Sequence, residues 1–170
     1  MTNFISASSP SSNYHRDLLS SVFIGLAGGL VATTAMTLME LPFWRIWRLH
    51  GVLEWHENQV LITKFLNLDE TQLHFSGIFG LHFLNGALGG LGLVLALYFI
   101  SGLSNPPLIA LSIGYGFLLW ILTLVPIHKP ITGVHPWNHP LGRAPAIASL
   151  AGHLVYGIIL GIFLLLAGFV

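Results

Sequence analysis

Four side chains, Glu40, His82, His128 and His153, combine donors that transition metals prefer with positions inside or beside very apolar runs. Imidazole and carboxylate together suit zinc, copper or iron, and glutamate with histidines inside a helical bundle is a recurrent metal cage. Two of the four stand in a repeated unit. His82 is followed by Gly86 and Gly90, and His153 by Gly157 and Gly161. At 3.6 residues per turn each trio falls on one helical face. A variant makes His82 and His153 the two axial ligands of a b-type haem, with Gly86 and Gly157 leaving room for the macrocycle. His56, His135 and His139 are weaker metal candidates in the connecting segments.

Simpler roles stand beside these. Small residues every fourth position are an ordinary device for close helix packing in membranes, and a buried histidine can simply hydrogen-bond a neighbouring helix through Tyr156, Asn85 or Thr37. The same groups could line a proton path. Glu40 has Arg45 and Arg48 nearby as partners, and a chain without any cofactor is the simplest of these readings. His135-Pro-Trp-Asn-His139 has a metal-like spacing, but prolines at 136 and 140 deny it a helix. Glu54-Trp-His56-Glu57 has suggestive composition without a defining geometry. No metalloprotease, nucleotide-binding or nucleophile-elbow motif is present, so no catalytic residue is assigned.

The elements that must position these groups follow from composition. The chain has 170 residues, 54% hydrophobic and 7% charged, against about 25% charged in a soluble domain. That balance cannot cover a soluble surface, and it predicts an all-α integral membrane protein. With no cysteine, thiolate sites and disulfides are excluded, and a formal net charge of zero gives no reason to expect nucleic acid as a partner. Four runs reach the roughly 20 residues needed to span a bilayer: about 21–43, 75–100, 108–127 and 146–170. They form one domain over 21–170, preceded by a polar, mobile tail over 1–20. Asn105-Pro106-Pro107 marks a tight break between spans two and three. Segment 44–74 opens on an interfacial belt (Phe43, Trp44, Arg45, Trp47, Arg48) and carries Val60, Leu61, Phe65 and Leu68 at helical spacing. This predicts an amphipathic helix lying on the membrane surface. A His-rich cap, 128–145, follows span three.

The repeated His/Gly unit predicts an internal duplication, two similar helical hairpins related by an axis along the membrane normal. A looser match sets Gly28 to Pro42 against Gly116 to Pro130, with Glu40 opposite His128. Spans two and four then run in the same direction, which puts His82 and His153 about 10 Å inside the same membrane face. Glu40 and His128 lie near span ends at that face. Lysine and arginine gather in the loops after spans one and three, which the positive-inside rule assigns to the cytoplasmic side of the cell membrane.

Gly28-Gly29-Leu30-Val31-Ala32-Thr33-Thr34-Ala35-Met36-Thr37, followed by the paired His-and-Gly helices, resembles small four-span membrane proteins of archaea and bacteria. The resemblance implies the four-span fold and carries no established activity. Three functions fit these observations: a membrane-embedded metal or haem site, a non-catalytic subunit of a larger membrane complex such as a metal-dependent oxidase or monooxygenase, or a small proton or cation transporter. Expected partners are the lipid bilayer and other membrane subunits or further copies of the chain.

Overall fold

The computed structural model describes residues 17–99 and 107–169. Most of the tail over 1–20, and the break at Asn105-Pro106, lie outside the described residues. Five α-helices follow in order: α1 Leu18–Trp47, α2 Leu53–Leu66, α3 Phe75–Phe99, α4 Leu108–Thr132 and α5 Ala144–Leu166. Short 3-10 turns at Leu49–Gly51 and Pro136–Asn138 join them, and there is no strand among the described residues. Helices α1, α3, α4 and α5 are each long and apolar enough to cross a membrane. The chain is a membrane protein.

The helix ends show how local chemistry and span chemistry compete. Asp17 caps α1, its Oδ1 accepting from the Ser20 amide at 2.6 Å. α1 then runs through Pro42, and α4 through Pro126 and Pro130. Proline deprives a helix of one hydrogen bond, but packed membrane helices tolerate it because neighbours re-satisfy the freed groups. α4 instead stops at Gly133, whose φ of 77° is the left-handed conformation that glycine adopts at low cost, and whose amide donates to the Lys129 carbonyl at 2.8 Å. Span three is therefore one turn longer than expected, and His128 belongs to the helix and not to the cap. Pro145 sits in the first turn of α5, where its missing N–H costs nothing.

α1 packs closely against α3 and α5, and α4 against α5. Glycine makes the closeness possible. A methyl on Gly90 would stand 2.6 Å from the Gly29 Cα, one on Gly25 2.8 Å from the Leu91 Cα, and one on Gly157 2.9 Å from the Ile113 Cα. These are backbone-to-backbone approaches that no side chain can relieve. Beyond them Ala32, Met36, Leu93, Val94, Leu108, Leu160 and Leu164 form an apolar core. Most of these residues come late in α3 and α5 and first in α4, while two further apolar clusters, around Trp55 with Ile78 and Leu53 with Trp120 and Leu124, pack on α2 itself.

α2 packs against α3, α4 and α5 with an inverted polarity. Trp55, His56, Glu57, Asn58, Gln59 and Thr63 are buried, whereas Leu61 and Leu66 are exposed and Phe65 is 86% exposed. Its polar side faces the bundle. Two bonds from Gln59 tie the segment that follows: its amide donates to the Gln72 carbonyl at 2.6 Å, and its carbonyl accepts from the His74 amide at 3.0 Å.

Candidate functional site

Three carboxylates and three imidazoles form one-to-one pairs. Glu40 from α1 faces His82 from α3, with Oε2 and Nε2 3.6 Å apart. Glu54 from α2 faces His153 from α5, with Oε1 and Nδ1 3.5 Å apart. Glu57, also from α2, meets the Nδ1 of His128 from α4 at 2.7 Å. The first two pairs are neighbours, because Glu40 and Glu54 border the same small space beside Ser149. Trp55 donates its indole N–H to Glu40 Oε2 at 2.8 Å, and the Ser149 hydroxyl donates to Glu54. Glu40 thus takes Trp55 and His82 as partners in place of the nearby Arg45 and Arg48.

Tautomers follow from the partners. The Ser149 carbonyl, 3.0 Å from His153 Nδ1, can only accept, so Nδ1 carries the proton and the neutral ring keeps its lone pair on Nε2. Glu40 Oε1, His82 Nε2 and His128 Nε2 are buried without a hydrogen-bond partner among the described residues. Native interiors leave few such atoms, and each calls for an explanation. Two neighbouring carboxyl groups in a poorly polarisable interior repel one another when both are ionised. A shared proton or a bound cation relieves that repulsion.

Between these groups lies a cavity of about 110 Å³ lined by Thr33, Glu54, Glu57, Asn58, His82, Asn85, His153 and Tyr156. Tyr156 in its wall donates to the Gly86 carbonyl at 2.7 Å, and Tyr115 donates to the Gly89 carbonyl at 2.8 Å. Tyr156 belongs to the apolar core, and Tyr115 packs against it.

Of the residues singled out in the sequence, Glu40, His82 and His153 share this centre, while His128 stands apart with Glu57. Among the described residues no group of three or more His, Asp or Glu side chains stands arranged as a ready metal cage. The space beside Gly86 and Gly157, expected to admit a macrocycle, is filled: added methyls there would meet the Thr33 side chain and the Ser112–Ile113 backbone. His135 and His139 shape their own turns, their Nδ1 atoms accepting from the amides of Trp137 at 3.2 Å and Leu141 at 3.1 Å. His56 lies on α2 between His50 and His128, ring centroids 4.6 and 6.0 Å away. Burial, reinforced by those rings and His139, pushes its pKa down to about 4 and keeps it neutral. Burial raises the Glu57 carboxyl, and the hydrogen bond from His128 works against that shift.

Sequence reasoning gave Glu54 and Glu57 too little weight. Their signal was present, since Glu54, Glu57 and Asn58 recur at i, i+3 and i+4 and so form one polar face.

No family model matches the sequence, and no curated protein or solved structure is similar to it.

Proposed function

We propose that the chain is a membrane protein that binds a transition-metal ion at a carboxylate–imidazole centre made by Glu40, Glu54, His82 and His153. The observation that carries this reading is the buried Glu40 Oε1 and His82 Nε2, neither with a hydrogen bond among the described residues, beside a second carboxylate and a second imidazole. A cation placed among them would neutralise two adjacent carboxylates and use both orphaned atoms. The adjoining cavity gives the side chains room to converge. A mixed set of two carboxylates and two imidazoles suits iron or zinc, with copper a further candidate.

A through-path for protons or cations has less support, because the cavity wall is mainly apolar and includes Met36 and Tyr156 of the apolar core. A purely accessory subunit also loses part of its warrant. Most span glycines are used up in packing inside the chain, and Gly80 and Gly114 are the span glycines with open space beside them. In the proposed arrangement α1/α3 and α4/α5 are the two halves of a duplicated hairpin. α2 lies at the membrane interface with Phe65 and Leu66 in the acyl region.

Elemental analysis with an absorption spectrum on gently extracted protein tests the assignment. Wild type should retain about one equivalent of metal that the His82→Ala/His153→Ala protein lacks. Wild type free of metal after metal-replete growth, or equal retention by both proteins, would overturn it.

A further inference from the structure

α2 works as a partition between two spaces. Glu54, Glu57 and Asn58 line the inner cavity. Its other side, with His56, Gln59 and Thr63, lines an open pocket of about 720 Å³ that His50 and Lys64 also border. Three imidazoles from three elements follow one another there, His50 and His56 at the pocket wall and His128 against His56 but outside that wall. His50 comes from the turn after α1, His56 from α2 and His128 from α4. The His50 and His56 rings stand edge to face at 4.6 Å and 79°, and the His56 and His128 rings at 6.0 Å and 64°. His56 and His128 are both more than nine-tenths buried, and His56 Nδ1 and His128 Nε2 lack any hydrogen-bond partner among the described residues.

Two neighbouring orphaned ring nitrogens are costly in a protein interior unless something accepts their lone pairs. With Glu57 accepting from His128 Nδ1–H, the lone pair of that ring is fixed on Nε2. A carboxylate behind a histidine in this way orients and strengthens a metal ligand. We propose that His50, His56 and His128, which do not stand prearranged as a cage, close around a metal ion as a second site, separate from the Glu40 centre and reached from the open pocket. An all-imidazole set selects a divalent ion such as zinc, copper or nickel, whereas the carboxylate-rich inner centre favours harder ions. His50 is exposed and free to turn, so it closes the site last, and the pocket leaves a further coordination position to water. His139 is not a ligand in this arrangement, since its Nδ1 is taken by the Leu141 amide and its ring lies against the His50 backbone.

The test uses the full chain in mild detergent, stripped with chelator and titrated with Zn²⁺, with Co²⁺ as the spectroscopic probe. His50→Ala is the decisive variant because an exposed ring carries little of the fold. His56→Ala supplements it where the protein stays folded. Wild type and the His82→Ala/His153→Ala protein should both show intense Co²⁺ d–d bands and the same Zn²⁺ affinity at this site. His50→Ala should lower that affinity at least tenfold with an unchanged unfolding profile, and Glu57→Gln should lower it by about 10- to 100-fold. Identical Zn²⁺ affinity in wild type and His50→Ala, or binding lost entirely in His82→Ala/His153→Ala, would overturn the second site. The first of these results would leave the inner centre untouched.

Discussion

Replacing Trp55 by phenylalanine probes the centre of the site with one atom group. The indole N–H is the hydrogen bond that Glu40 receives, at 2.8 Å to Oε2, while Oε1 has no partner among the described residues. Phenylalanine keeps an aromatic ring against Phe79, whose centroid lies 4.9 Å away, and deletes the donor. Removing a buried hydrogen bond costs about 1 kcal/mol when the acceptor is neutral and about 1.5–3 kcal/mol when it is charged. The smaller ring leaves a void that adds up to roughly 1 kcal/mol. Trp55→Phe should therefore destabilise the protein by about 1–4 kcal/mol, at about 2–4 °C of melting temperature per kcal/mol for a chain of this size.

The void term is separated by a cycle with Glu40→Leu, which removes charge and acceptor together. In that background the Trp55 N–H is itself left without an acceptor, so Trp55→Phe should be neutral or stabilising. The sign of the Trp55→Phe effect thus depends on residue 40. Thermal and SDS-titrated unfolding of chelator-stripped protein measures all four corners, stripping being needed because bound metal would stabilise by mass action. Additive effects, within about 0.5 kcal/mol, would refute the coupling and with it the inward placement of Glu40.

Gly90→Ala should destabilise by roughly 1–3 kcal/mol or more, because its methyl would stand 2.6 Å from the Gly29 backbone and only helix separation relieves it; wild-type stability in SDS titration would contradict the tight α1–α3 contact. Gln59→Ala should cost about 1–3 kcal/mol by removing two bonds to the 72–74 segment, and proteolysis should shift to that segment, with an unchanged digestion pattern counting against the tether. Asp17→Ala should speed amide exchange in the first turn of α1. The Ser20 amide holds the Asp17 carboxyl below its ordinary value, so the protective effect is present at neutral pH and fades as pH falls through that lowered pKa. The variant and wild type should therefore converge in strong acid, and a difference that survives there would exclude the cap as its cause.

Spans were legible because hydropathy adds up along some 20 residues and needs no knowledge of neighbours. The end of span three was not, because Pro130 marks a break in a soluble helix and is carried through in this bundle. That single misjudged end moved His128 from a loop onto a helix that turns it inward. The glycine stripes at Gly86/Gly90 and Gly157/Gly161 were readable as packing faces. Their partners, Gly29 across from Gly90 and Ile113 across from Gly157, depend on register between helices, which no local pattern encodes.

The candidate site was half visible for a related reason. Periodicity reports that a helix has two faces but not which medium each one meets. On α2 the apolar residues Leu61, Phe65 and Leu66 face outward and the acids face in, the reverse of a helix in water. The imidazoles come from three spans, α3, α4 and α5, and two of the three carboxylates that answer them come from α2. Without α2 those histidines would lose most of their partners and the cavity one wall. The charge balance of this bundle is therefore set by an element absent from its set of candidate spans. A search confined to ionisable residues inside spans recovers Glu40, His82 and His153, and it has no means of reaching Glu54 or Glu57.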